Sequence, residues 1–199
     1  MISNYLLKFP EGYEPFDQQI DLIKQIEAAY AEGYKYVICC APTGSGKSLI
    51  SKTLGNVSQP CSETFKKLIT SYNAYAQEFG GGYIYEKECL QEPPFGAFAL
   101  TITKSLQDQY AELFDNTNVL KGKTNYQCEV DSNFDVETAP CVLTPKIKND
   151  CWVKNLCPYY NARNNALIGQ FSVLNYKMFM SLPAHLKKKE FIICDEACY

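Results

Sequence analysis

Ala41-Pro42-Thr43-Gly44-Ser45-Gly46-Lys47-Ser48 is the stretch on which the fold turns. The apolar run Tyr36-Val37-Ile38-Cys39-Cys40-Ala41 precedes it and predicts a buried strand, and Lys47–Leu54 after it reads as a helix. A glycine-rich turn between a strand and a helix aims successive backbone N–H groups, together with the helix N-terminus, at a phosphate chain. Gly44 and Gly46 let the backbone wrap without Cβ clashes. On this reading Thr43, Gly44, Ser45 and Gly46 form the cradle, Lys47 reaches the β- and γ-phosphates, and the Ser48 hydroxyl ligates Mg²⁺. The bland alternative is a chance Gly/Ser turn. Gly122-Lys123-Thr124 repeats the tail of the pattern, but no glycine occurs in Asn118–Lys121 before it, so it is read as a decoy.

Outward from the loop, apolar residues at Ile20, Ile23, Ile26 and Ala29/Tyr30 predict a helix over 16–31, ended by Gly33. Downstream, Phe98–Thr103 predicts a strand and Lys104–Phe114 a helix with Leu106, Tyr110 and Leu113 on one face. A short strand over Asn118–Gly122, a helix over Tyr159–Ile168, a strand over Phe171–Tyr176 and a last strand over Glu190–Asp195 follow. Alternation of this kind implies an α/β fold with a mainly parallel sheet. Residues from about Gly55 to Phe95, with a helix expected near Glu63–Gln77, read as an insertion.

The 199 residues carry 19 Lys+Arg against 22 Asp+Glu, a net charge of −3, with 46% hydrophobic residues. That is a globular composition, which excludes wholesale disorder and a strongly basic nucleic-acid protein. No apolar run approaches the ~20 residues of a membrane span, and Met1–Lys8 lacks a signal pattern. A cytoplasmic location and no membrane partner are therefore expected. Ten cysteines in such a chain point to metal binding more than to disulfides.

Phe191-Ile192-Ile193-Cys194 runs into Asp195-Glu196. Two carboxylates at a strand's C-terminal end, in the same sheet as a phosphate loop, suit a division of labour: Asp195 holds Mg²⁺ and Glu196 polarises the attacking water. Alone, the pair is equally a favourable helix start. Cys128, Cys141, Cys151 and Cys157 have the spacing Cys-x12-Cys-x9-Cys-x5-Cys. Four thiolates can hold zinc or an iron–sulfur cluster, and the absence of close Cys-x2–4-Cys pairs suits a cubane cluster better than zinc. Scattered structural thiols are the remaining alternative, and they are the preferred reading for the other six: Cys39, Cys40 and Cys194, expected in the core, and Cys61, Cys89 and Cys198.

These motifs together resemble the XPD/DinG-type iron–sulfur DNA helicases of superfamily 2. Ala41 in place of the first loop glycine matches helicase forms of the loop, and Asp195-Glu196-Ala197-Cys198 resembles their Asp-Glu-Ala-His box, with Cys198 where His is usual. Lys121–Cys128 looks like the approach to the first cluster cysteine, Cys157–Arg163 like the segment at the fourth, and Val173–Tyr176 like the strand that follows. Thr101–Gln109 resembles motif Ia, and Gln19 the glutamine that reads adenine. The resemblance spans about Phe9 to Tyr199, except for about Gly55–Phe95. It implies a RecA-like P-loop motor domain over 1–120 and 171–199 and an irregular four-cysteine iron–sulfur lobe over 121–170. It also implies ATP, Mg²⁺ and a 4Fe–4S cluster as cofactors, with single-stranded or forked DNA as partner, touched by Thr103, Lys104 and Gln109. Lys47 and Glu196 would be catalytic. Cys198 puts coupling between nucleotide site and second motor domain in question.

The sequence stops three residues after Glu196, and its sole arginine, Arg163, lies among the cysteines. A C-terminal RecA-like domain with its arginine finger is thus expected from elsewhere. The chain then reads as a fragment, a truncated frame or half of a split enzyme that binds ATP–Mg²⁺, hydrolyses it slowly and does not unwind DNA alone. Two rivals stand beside this: a P-loop ATPase with a zinc-stabilised lobe and a non-DNA partner, and a non-catalytic nucleotide-dependent binding module. His185 and the Lys187–Lys189 run read as surface features, and Trp152, Tyr126, Tyr159 and Tyr160 as cluster packing or base-stacking residues.

Overall fold

Four short strands, β1 (Ala97–Thr101), β2 (Asn118–Leu120), β3 (Phe171–Asn175) and β4 (Phe191–Cys194), form one parallel sheet in the order β2-β3-β1-β4. The computed structural model describes residues 3–42, 44–59, 94–142, 144 and 157–196. Its helices are α1 (Asp17–Ala31), α2 (Lys47–Val57), α3 (Lys104–Leu113), α4 (Pro158–Ile168) and the short α5 (Tyr176–Ser181). An α/β fold with a mainly parallel sheet is therefore present.

Every residue of β1 is buried, as a parallel strand covered on both faces requires. The alternation of its side chains divides the core in two. Ala97 and Ala99 join Phe171, Val173 and Phe191 on one face, covered by Ile23 and Ile26 of α1, Ile50 and Leu54 of α2, and Tyr110 of α3. Phe98 and Leu100 join Leu120 and Leu174 on the other, covered by Tyr159 and Ala166 of α4, with Met178 and Phe179 of α5 packed alongside. Each fully buried Phe or Leu here contributes roughly 1.5–3 kcal/mol of apolar transfer.

The bottom of the sheet is locked by side chains. Gln170 sends its amide to the Gly55, Asn56 and Ser58 carbonyls at 3.1, 3.4 and 3.2 Å, closing the C-terminal end of α2. Ser58 accepts from Gly96 N at 2.5 Å and donates to Glu190. Lys189 donates to the Gly169 carbonyl and lies over the Phe95 and Phe98 rings, 4.9 and 5.4 Å from their centroids. Gly96 itself has φ +73°, and a Cβ on it would strike the Gln170 carbonyl and main chain. Gly96→Ala is expected to lose about 2–3 kcal/mol and lower the thermal midpoint by roughly 5–10 °C. Differential scanning calorimetry of the two chains checks this, and an unchanged midpoint would contradict the close approach.

Helix and strand limits follow the sequence expectations to within a few residues, with one large exception. Tyr36–Ala41 is not a strand. Tyr36 and Ile38 are 89% and 90% exposed, while Val37 packs against the core. Apolar content turns one side of an extended segment toward a core. Only pairing with a neighbouring strand takes its backbone and other side out of water. No such pairing occurs: β4 is bonded to β1 alone among the described strands. The expectation that Cys39, Cys40 and Cys194 lie in the core is overturned with it, since all three are exposed.

The limits of the insertion also move. Residues 55–57 belong to α2, with Gly55 packed against Phe171, and Phe95 is buried in the core. The helix expected near Glu63–Gln77, together with Cys61 and Cys89, lies outside the described residues. No helix among the described residues is long and apolar enough to cross a membrane.

Candidate nucleotide site and cysteine lobe

The carboxyl ends of parallel strands are where an α/β sheet exposes loops to a ligand. Here β1 and β4 end in register, Leu100 opposite Cys194, and Asp195 N donates to the Leu100 carbonyl at 3.0 Å. The turn that carries Asp195 and Glu196 is thereby fixed to the strand that leads into Thr103 and Lys104.

The glycine loop stands at the same end. Gly44 and Gly46 both have positive φ, +82° and +73°, and Gly46 is the left-handed residue immediately before α2. A Cβ on Gly46 would overlap the Gln19 amide nitrogen. That amide donates to the Ser45 and Gly46 carbonyls at 3.1 and 3.4 Å, and its oxygen accepts from Phe16 N at 3.0 Å. Gln19 is 1% exposed. Its carboxamide thus fastens the start of α1 to the loop, and contact with an adenine would require exchanging those bonds. The Lys47 ammonium donates to the Ala41 and Pro42 carbonyls, both at 3.2 Å. Ser45 Oγ is buried with no hydrogen-bond partner. A buried hydroxyl left unpaired costs roughly 1–3 kcal/mol, and a phosphate oxygen would satisfy it. A glycine turn with outward φ, a lysine already inside it and an orphaned hydroxyl fit a phosphate chain. Thr43 lies outside the described residues.

The two side chains expected to serve Mg²⁺ both lie near one phenol. Tyr110 O–H donates to Asp195 Oδ2 at 3.1 Å, and the Ser48 and Ser51 hydroxyls of α2 lie close enough to the phenol to temper its upward shift. Ser51 also donates to the Lys47 carbonyl at 3.0 Å. Burial, followed by the Asp195 charge, pushes the Tyr110 hydroxyl far above its ordinary range, so it stays protonated. A second tyrosine holds the main chain: Tyr176 O–H donates to the Asp195 carbonyl at 2.9 Å. Burial and the Cys194 thiol likewise raise the Tyr176 hydroxyl. Asn175 starts α5 by accepting from Met178 N at 2.7 Å, which places Tyr176 at the sheet's end.

Glu196 follows in the left-handed region, φ +56°, and is exposed. A non-glycine residue there costs about 1–3 kcal/mol and persists only where its surroundings determine it. Here the three bonds on Asp195 do so. Neither tyrosine is legible as a site residue in the sequence. Tyr110 belongs to the apolar face of α3, and a hydroxyl on such a face reads as core.

Thr103, Lys104 and Gln109 are exposed. Thr103 caps α3 by accepting from Leu106 N at 3.3 Å, and Lys104 opens the helix beside it. Asp108, on the same helix, pairs with Lys121 at 2.5 Å. Lys123 of the decoy Gly-Lys-Thr lies 5.6 Å from the Tyr159 ring centroid, in a 3-10 turn and not in a phosphate cradle.

The cysteine lobe is built from turns. Cys128 N donates to the Phe134 carbonyl at 3.0 Å and Val136 N to the Tyr126 carbonyl at 2.9 Å, with Gln127 bridging Asp135. Asp135 Oδ1 accepts from Glu137 N, Thr138 N and the Thr138 hydroxyl, each at 2.9 Å, and these bonds, Thr138's above all, hold its carboxyl below the usual range. Cys128 is buried, Cys141 lies in a 3-10 turn, and Cys157 stands directly before α4, whose first residue is Pro158. Burial raises the Cys157 thiol. Backbone N–H groups of Tyr160 and Tyr159 oppose that, and the thiols of Cys141 and Cys128 add to it. The fold therefore gathers three of the four cysteines into one neighbourhood. Among the described residues no three His, Cys, Asp or Glu side chains stand in a metal-holding arrangement. Cys151 lies outside the described residues, as do Trp152 and Cys198.

No family model, no curated protein and no solved structure matches the chain. The class defined by fold and site is a parallel α/β domain whose glycine loop and acidic turn share one end of the sheet, with a cysteine-bearing lobe inserted between β2 and β3.

Proposed function

We propose that the chain is the ATP-binding part of an ATP-dependent iron–sulfur DNA helicase, with a RecA-like motor domain carrying a 4Fe–4S lobe. The observation that carries the nucleotide half is the meeting of Ser48 and Asp195 at the Tyr110 phenol. Two oxygen donors, one from α2 and one from the end of β4, thus lie near one phenol, with Lys47 one residue before Ser48. On this reading backbone N–H groups of Gly44, Ser45 and Gly46 take the phosphate oxygens, and Lys47 turns from the Ala41 and Pro42 carbonyls to the β- and γ-phosphates. Ser48 and Asp195 hold Mg²⁺, which neutralises developing phosphate charge when bound. Glu196, exposed one residue beyond, orients and polarises the attacking water.

The DNA half rests on the resemblance of the motifs and on placement. Thr103 and Lys104 lie at the end of β1, beside the acidic turn, so a strand held there would feel the nucleotide site directly. Cys128, Cys141 and Cys157, with Cys151, would hold the cluster, whose part on this reading is to shape a lobe that grips DNA. The arginine finger is supplied from outside the described residues, since Arg163 lies on α4, 5.9 Å from the Tyr160 ring centroid.

The test is ATP turnover by the 199-residue chain, alone and with a C-terminal RecA-like partner chain, with and without single-stranded DNA. The expected result is Mg²⁺-dependent ATP binding with slow turnover alone, then stimulation by DNA when both chains are present. Glu196→Gln is expected to lower the stimulated turnover about 100-fold or more while ATP binding is kept. DNA-independent turnover in the presence of the partner chain would remove the helicase reading and leave an ATPase.

A further inference from the structure

One side chain joins the two halves of the nucleotide site and has no part in the steps above. Tyr110 is 1% exposed, with its ring between Phe114 and Phe171, centroids 6.1 and 5.9 Å away. Packing of that kind leaves the ring no freedom, so the direction of its hydroxyl is set by the core. That hydroxyl emerges beneath the acidic turn and donates to Asp195 Oδ2 at 3.1 Å. The Ser48 and Ser51 hydroxyls of α2 stand near that phenol. A phenol has one proton to give and lone pairs to accept with. Having given the proton to Asp195, it keeps lone pairs free to accept from Ser48, the Ser51 proton being engaged by the Lys47 carbonyl, and α3 is tied to the end of β4 at one atom beside α2.

We propose that Tyr110 is the positioning residue of the Mg²⁺ site, holding one Asp195 oxygen so that the carboxylate is ordered before metal and nucleotide arrive. This rests on the nucleotide reading given above. Without the phenol, the Asp195 carboxylate rotates about its own side chain and hydrates independently of α2. The metal must then order it at the moment of binding. With the phenol, that ordering is a property of the folded core. The effect falls on metal-dependent binding and not on the phosphate cradle, because Lys47 and the loop glycines make no bond to Tyr110. A purely structural tyrosine would instead lower stability and ATP binding together.

The experiment compares wild type with Tyr110→Phe, Asp195→Asn and the double variant. Equilibrium binding of a fluorescent ATP analogue is followed in EDTA and across a Mg²⁺ titration, with the thermal midpoint of each ligand-free chain. The expected result is that Tyr110→Phe binds the analogue in EDTA as wild type does and keeps its midpoint within a few degrees. It should need about tenfold more Mg²⁺ to reach half of the metal-dependent tightening. In the Asp195→Asn background the same change should add little, because the two groups act as one unit. A Mg²⁺ requirement in Tyr110→Phe equal to that of wild type overturns the proposal. So does a Tyr110→Phe chain that unfolds or loses binding in EDTA as well, because the hydroxyl then serves the fold. Wild type that binds no analogue under any condition overturns the nucleotide reading itself, which separates that failure from this one.

Discussion

Lys47→Ala is expected to weaken ATP binding by roughly 100-fold, about 3 kcal/mol, while leaving the fold intact. In the folded chain the ammonium sits against the Ala41 and Pro42 carbonyls, two neutral oxygens. Those carbonyls belong to an exposed or half-exposed stretch, so water replaces the lysine there at little cost. Nothing in either core cluster depends on Lys47. What is lost is the only cation within the loop, and a triphosphate left without it keeps only backbone N–H contacts. Lys47→Arg should not rescue fully, because a planar fork does not replace a compact ammonium in a tight turn. Isothermal titration with ATP and Mg²⁺ measures the loss. Binding within threefold of wild type would show that the loop does not receive phosphate.

The second large effect concerns the lobe. Protein purified without oxygen is expected to be brown, with about four irons and four sulfides per chain. Cys128→Ser or Cys157→Ser should each remove most of that iron, whereas Cys39→Ser and Cys194→Ser should not. The contrast follows from placement. Cys128 and Cys157 share a neighbourhood with Cys141, and the N–H groups of Tyr160 and Tyr159 at the start of α4 partly oppose the burial that raises the Cys157 thiol. Cys39 and Cys194 are exposed and far in sequence from that lobe. Loss of metal should also loosen 121–142, whose internal bonds are turns and one isolated bridge and which lacks a strand ladder of its own beyond β2. Metal analysis with visible spectroscopy decides it. One zinc in a colourless sample would replace the cluster with a zinc-stabilised lobe and withdraw the chief support for DNA.

Much of the fold was legible because its signals are local. The periodicity of Ile20, Ile23 and Ile26 becomes the buried stripe of α1, and Gly33, φ +89°, ends the turn after it. Phe171–Asn175 and Phe191–Cys194 read as strands because short apolar runs between turn signals are what a sheet covered on both faces requires. Tyr36–Ala41 carries the same signal and is not a strand. Pairing is decided by which edge is available, and a run of six residues holds no information about that. The site divides in the same way. Lys47, Ser48, Asp195 and Glu196 announce themselves by residue type and spacing. Tyr110, Tyr176 and the loop-fastening amide of Gln19 act through distances of 3.1, 2.9 and 3.1 Å that exist only once three helices and two strands have packed.

Glu196 sets stability against chemistry at a single position. Its left-handed backbone, φ +56°, is one that glycine adopts freely and glutamate does not. The acidic turn would rest more comfortably with no side chain there at all, yet that side chain is the group proposed to steer water. Selection for heat tolerance alone would therefore drift toward glycine at 196 and remove that group while hardening the chain. Any evolved or engineered form that keeps glutamate there carries the mark of a requirement other than folding.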